Sequence, residues 1–213
     1  MVDWARLQPR AGVPPTLDAV DAGCERGVPP CAPYAGLRDL FAAIASNPGL
    51  TPVLVIYGVP PWAAQPVAGC RRPGTPPIAA ALAPGALPAY RALIGSLIRL
   101  ARGVGLELPW WSPWNEPNHP SFISLQRVRC QTGAPAVSPG LYAELTRAMR
   151  AELAADRRPH RLVLGDLAGF VSSSPIRLSV SEFVADLPAD VVCSGGAWAV
   201  HYGLARLASR AEA

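Results

Sequence analysis

Trp110-Trp111-Ser112-Pro113-Trp114-Asn115-Glu116-Pro117-Asn118 packs three tryptophans, an Asn-Glu pair and a second Asn into nine positions. Glu116 is a carboxyl group able to give and take a proton, and Asn115 beside it can grip a hydroxyl. A carboxylic acid that donates its proton near neutral pH needs a partly dry surrounding, because desolvation disfavours the charged form. A tryptophan-rich pocket is expected to supply that dryness. Two other stretches carry similar promise: Asp166, after the apolar run Leu162-Val163-Leu164, and His201-Tyr202, after Ala197 to Val200.

All three stretches stand where a short apolar run stops, so strands must position them. Val53 to Tyr57 is a continuous apolar run, as expected of a strand buried on both faces. Val2 to Leu7 reads as the end of a strand, with a long loop over residues 8–33 behind it. The Trp-rich strand lies between Pro109 and Pro113, which lack the N–H a central strand needs, so it should be short or irregular. Helical spacing appears between these runs. Tyr34 to Ser46 puts Tyr34, Leu37, Phe41 and Ile44 on one face. Leu87 to Arg102 does the same with Tyr90, Leu93, Ile94, Leu97 and Ile98. Ser138-Pro139 reads as the N-cap and first residue of a helix reaching about Asp156, and Ser179-Val180-Ser181-Glu182 fits a capping box for a short helix through Leu187. About five strands with four helices between them imply parallel neighbours and right-handed crossovers.

Trp114-Asn115-Glu116-Pro117-Asn118 resembles the strand-four motif of retaining glycoside hydrolases built on the TIM barrel, of the clan A type that includes cellulase- and xylosidase-like enzymes. The resemblance implies an α/β fold class: a partial (β/α)8 barrel matching strands two to six, in one incomplete domain over residues 1–213. It implies that Glu116 is the general acid/base and that Asn115 binds the sugar hydroxyl next to the reacting carbon. His201 and Tyr202 end the strand where the family commonly carries a His or Tyr bonded to the nucleophile or to a sugar hydroxyl. Asp166 would bind substrate or orient a neighbour, with a purely structural role as the alternative. Trp62, Trp114 and Trp198 would stack on sugar rings; core packing accounts for these three equally well, and for Trp110 and Trp111 better.

Retaining chemistry needs a second carboxylate. The family's is a Glu at the end of strand seven, expected beyond the last residue of this chain. Glu182 is explained as a helix cap, and Glu107 lies at the wrong end of its strand. Such a chain is expected to be catalytically incomplete and marginal alone, with open sheet edges. The alternative from another class is a non-catalytic or degenerate sugar-binding barrel. An acyl hydrolase is disfavoured because no Gly-x-Ser-x-Gly turn occurs.

Composition narrows the choices further. The chain has 213 residues, enough for one sizeable core, and 50% hydrophobic against 16% charged residues points to extensive burial. Net charge is +4, carried by arginine without any lysine. The arginines form no long run and no basic face with interleaved aromatics, so nucleic acid is not an expected partner; an oligo- or polysaccharide is. No apolar stretch is long enough to span a bilayer, and the first residues lack a signal-peptide pattern. Cys24, Cys31, Cys70, Cys130 and Cys193 contain no Cys-x-x-Cys pair, so neither a zinc site nor a cofactor is expected. Loop cysteines in a sugar hydrolase suggest disulfides and export, with reduced thiols in a cytosolic chain as the alternative. Cys70 and Cys130 lie in loops leaving adjacent strands on the Glu116 side and are predicted to pair. Cys24–Cys31 would close a local ring and leave Cys193 free, although five cysteines admit other pairings.

Overall fold

The computed structural model describes residues 1–17, 36–65, 70 and 74–202. The apolar runs form strands and the helical-period runs form helices between them. The order is β1 (Val2–Asp3), α1 (Trp4–Leu7), α2 (Leu37–Ala45), β2 (Val53–Tyr57), α3 (Leu87–Gly103), β3 (Trp110–Ser112), α4 (Ser138–Ala155), β4 (Arg161–Ala168), α5 (Val180–Ala185), α6 (Ala189–Val192) and β5 (Ala197–His201). The strands make one sheet in the order β1-β2-β3-β4-β5, every pair parallel. Chain order equal to sheet order, with helices in the crossovers, is the wall of a (β/α)8 barrel. Among the described residues the sheet is not closed, and β1 and β5 are its edges.

The core lies between the sheet and the two long helices. Tyr90, Leu93, Ile94 and Leu97 of α3 and Tyr142 and Met149 of α4 are all fully buried; each large apolar side chain contributes about 1.5–3 kcal/mol on burial. The two tyrosines also tether helix to strand. Tyr90 donates its hydroxyl to the carbonyl of Pro113 at 2.6 Å, just past β3. Tyr142 accepts the N–H of Gly165 at 2.9 Å, inside β4. Burial raises the pKa of both phenols, so neither ionises in the working range.

Several local expectations need correction. Val2 to Leu7 holds a two-residue strand and then a helical turn, because Asp3 caps it by accepting the N–H of Arg6 at 3.2 Å. Trp4 and Leu7, three apart, then point into the core together. The helix expected from Tyr34 starts at Leu37, and Tyr34 lies outside the described residues. Ser138 is not an N-cap. It is the first residue of α4, buried, and its hydroxyl donates to the side-chain carbonyl of Gln126 at 2.9 Å. Ser179 does cap α5, accepting the N–H of Glu182 at 3.2 Å. That helix ends at Ala185, and α6, too short to show a period, follows.

β3 is short, as its flanking prolines require; the carbonyl of Pro109 still accepts the N–H of Arg161 at 2.8 Å. Trp111 is fully buried, while Trp110 is half-buried with the Arg161 guanidinium 5.5 Å from its ring centre. Cys70 and Cys130 form a disulfide, and Cys193 is free and exposed. The Cys24–Cys31 ring lies outside the described residues. No helix among the described residues is long and apolar enough to cross a membrane.

Candidate active site

Past Ser112 the chain keeps touching both neighbours of β3. The N–H of Asn115 donates to Ile56 of β2 at 3.0 Å, and the N–H of Glu116 donates to Asp166 of β4 at 2.9 Å. These bonds hold Glu116 at the C-terminal rim of the sheet. On the other side, β4 carries a bulge between Gly165 and Leu167, so Asp166 is the extra residue. A bulge bends its strand and re-aims a side chain. Here it turns the Asp166 carboxylate towards both neighbouring strands.

Asp166 is 6% exposed. One carboxylate oxygen accepts from the Ser112 hydroxyl at 3.3 Å, and the other meets Nε2 of His201 at 2.8 Å. Nδ1 of His201 meets the Glu116 carboxylate, also at 2.8 Å. One imidazole therefore bridges two carboxylates from different strands, and it can donate from both nitrogens only as the imidazolium. Burial by itself would depress the His201 pKa, but the hydrogen bond to Glu116 and the charges of Asp166 and Glu116 outweigh it and raise the value. Burial pushes the Asp166 carboxyl up, against the opposing pull of His201.

Two glycines let β5 come this close. A β-carbon at Gly165, which has φ of 81°, would stand 2.9 Å from the carbonyl oxygen of Ala199; one at Gly169 would stand 2.5 Å from that of His201. Asn118 fixes the end of β4 from the other side. Its amide donates to the carbonyls of Ala168 and Leu178 at 2.9 and 3.0 Å and accepts the N–H of Ala168 at 2.9 Å.

Above this frame opens a cleft of about 610 Å³ whose lining includes Glu116, His119, Phe170, Arg177, His201 and Tyr202. His119 stacks on Phe170 at 5.3 Å between ring centres. The Arg177 guanidinium lies 4.6 Å from the centre of the Phe170 ring. Among the described residues no group of three His, Cys, Asp or Glu side chains is placed to hold a metal ion. A separate cavity of about 460 Å³ at the opposite end of β4, by Asp156 and Arg161, contains none of the predicted site residues.

Set beside known proteins, the chain matches no family model and no curated protein. Among solved structures it is similar to "The endo-beta1,6-glucanase BT3312", with a TM-score of 0.53 and 14% sequence identity. The likeness is one of fold. It covers 79% of this chain but 36% of that one, so the chain spans just over a third of the length of its structural neighbour. The neighbour agrees with the reading of the sheet as part of a (β/α)8 barrel.

Of the residues singled out in the sequence, Glu116, His201 and Tyr202 line the cleft, and Asp166 stands directly behind His201. Asn115 is adjacent but 3% exposed. The three tryptophans offered as sugar platforms are elsewhere. Trp114 is 1% exposed and donates to the carbonyl of Phe122, so it is core. Trp62 donates to the carbonyl of Gln8 and stands edge-on to Trp4, outside the cleft lining. Trp198 is 41% exposed, but it pairs in register with Leu164 and lies three residues from His201. Strand alternation puts it on the opposite face. The dry tryptophan pocket expected around Glu116 is replaced by His201, with His119, Phe170 and Tyr202 as the aromatic walls. In the sequence, Ser112 and Asn118 fall within the Trp-rich stretch without a role of their own, and neither Gly169 nor Arg177 is singled out. Of these last two only Gly169 leaves a usable signal, since glycine within a strand pattern marks a bulge or a close backbone approach.

Proposed function

We propose that this chain carries the acid/base half of a retaining glycoside hydrolase. One observation supports the reading most directly: Glu116 stands at the C-terminal rim of the sheet, in a cleft, with its carboxylate held by His201 at 2.8 Å. Barrel enzymes keep their reacting groups at this rim. With His201 neutral, its Nδ1 accepts from the Glu116 carboxyl and its Nε2–H donates to Asp166, so Glu116 carries the proton. It gives that proton to the glycosidic oxygen as the nucleophile displaces the leaving group, then takes a proton from the water that attacks the glycosyl-enzyme. Asn115 holds the hydroxyl next to the reacting carbon, His201 fixes the Glu116 side chain, and Asp166 fixes the imidazole from behind. Tyr202 bonds a sugar hydroxyl at the mouth.

The attacking carboxylate in retaining enzymes stands about 5–5.5 Å from the acid/base. Asp166 does not suit that task, because Ser112 and His201 occupy its oxygens and it is buried. Glu116 is the one carboxylate lining the cleft among the described residues. The nucleophile is therefore assigned to a Glu outside them, on a later strand of the barrel. The Cys70–Cys130 bond supports an oxidising, extracytoplasmic setting. The test is Glu116→Gln in the natural protein, with aryl-glycoside turnover and calorimetric oligosaccharide binding measured together. Turnover lost with binding kept supports the assignment. Undiminished turnover rejects it, and sugar binding without turnover in the unmutated protein points instead to a non-catalytic binding domain.

A further inference from the structure

The loop after β4 forms one wall of the cleft and places Arg177 there. Its guanidinium rests on Phe170, its Nε is buried without an acceptor, and no carboxylate pairs with it among the described residues. The nearby acids are already engaged. Glu182, the one carboxylate of the segment from Gly169 to Glu182, takes Arg127 at 2.7 Å and the hydroxyl of Ser173. Glu116 is taken by His201. Arg127 shows what a satisfied arginine looks like in the same region: it is 1% exposed and bonds the carbonyls of Ser174 and Ala134 as well as Glu182.

A half-buried cation without a counter-charge is costly, and packing against an aromatic ring returns only part of that cost. Phe170, itself stacked on His119, holds the guanidinium in place, so little side-chain freedom remains to be lost on binding. A planar guanidinium suits a two-oxygen anion, which it grips with parallel hydrogen bonds. We infer that Arg177 recognises an anionic substituent on the sugar bound beside Glu116: a uronic-acid carboxylate or a sulfate ester. The inference rests on the glycoside reading of the cleft and narrows it to acidic saccharides.

The test compares three oligosaccharides that differ only at C6: the neutral alcohol, the carboxylate and the sulfate ester. Binding to the natural protein is measured by calorimetry at low and high salt, alongside the Arg177→Met and Arg177→Lys variants. One of the anionic forms should bind about 10- to 100-fold tighter than the neutral one at low salt, as a charge-assisted pair provides; which one identifies the group. Salt should shrink the ratio. Arg177→Met should bring it close to one while neutral binding stays, and Arg177→Lys should keep part of it. Equal binding of neutral and anionic forms overturns the inference, as does an unchanged ratio in Arg177→Met; in either case persisting neutral binding leaves the glycoside reading standing. Loss of binding for all three oligosaccharides in the natural protein removes both. If Arg177→Met does not fold, the unmutated ratio and its salt dependence decide alone.

Discussion

The backbone N–H of Glu116 donates to the carbonyl oxygen of Asp166 at 2.9 Å, and the two residues share a backbone state: φ is 38° at Glu116 and 50° at Asp166. No other non-glycine residue among those described has a positive φ. A β-carbon crowds the carbonyl there, at about 1–3 kcal/mol per residue. The outcome of this strain is that two carboxylates approach the two nitrogens of one imidazole.

Asp166→Asn separates charge from shape. Asn tolerates positive φ best among residues with a side chain of this size, so the bulge should persist. The His201 imidazolium loses one of its two counter-charges. Its pKa should fall from the raised value towards that of an ordinary histidine, read from the His201 ring-proton shift in an NMR titration. An unchanged titration would mean that Asp166 does not govern His201.

The raised values also set a pH trend in stability. His201 has a folded pKa above its unfolded one, so its contribution is complete below about pH 6.5 and is lost as pH rises through the folded value. The Asp166 carboxyl is also raised, so its contribution is complete below the ordinary carboxyl range and is lost as pH climbs through its own folded value. Both slopes have one sign. Melting temperature should decline as pH rises above the ordinary histidine value of about 6.5, and His201→Gln should flatten that decline. Parallel curves for the two proteins would show that the bridge is not coupled to folding.

Asn118 is completely buried and makes three hydrogen bonds that join the end of β4 to the segment before α5. Asn118→Ala leaves the Leu178 carbonyl and the Ala168 N–H without partners in the interior, while the Ala168 carbonyl keeps the N–H of Phe170. The expected loss is about 2–4 kcal/mol, since each orphaned buried group costs about 1–3. Urea unfolding gives the number; a loss below about 1 kcal/mol would mean that water replaces the amide.

Arg127 ties the Cys130 loop to the loop that carries Arg177. Replacing it with Met keeps bulk but removes the donor to the carbonyls of Ser174 and Ala134, while Glu182 keeps the Ser173 hydroxyl and water, so destabilisation of about 3 kcal/mol is expected. Glu182→Gln should cost less, because its side chain is 31% exposed and water can take over. Equal effects of the two substitutions, measured by chemical denaturation, would contradict this division.

Local sequence sufficed for β2, α3, α4 and the first half of β4, because the period of apolar residues reports which face is buried within one element. Alternation of strands and helices then required parallel pairing. Glu116 and His201 were legible at strand ends for the same local reason; Asp166, expected just past a strand ending at Leu164, lies inside β4, which runs on to Ala168 through the bulge. The meeting of the three was not legible. His201 lies 85 residues from Glu116 and 35 from Asp166, and only the pairing of β4 with β5 across Gly165 and Gly169 brings them to hydrogen-bonding distance. The tryptophans were misplaced because Pro113 breaks the strand period before Trp114, and Trp198 faces away from His201. The state of Arg177 was the least legible of all. Its charge is left uncompensated because Arg127, 55 residues before Glu182 in the chain, captures that carboxylate through contacts that exist only once the two loops pack.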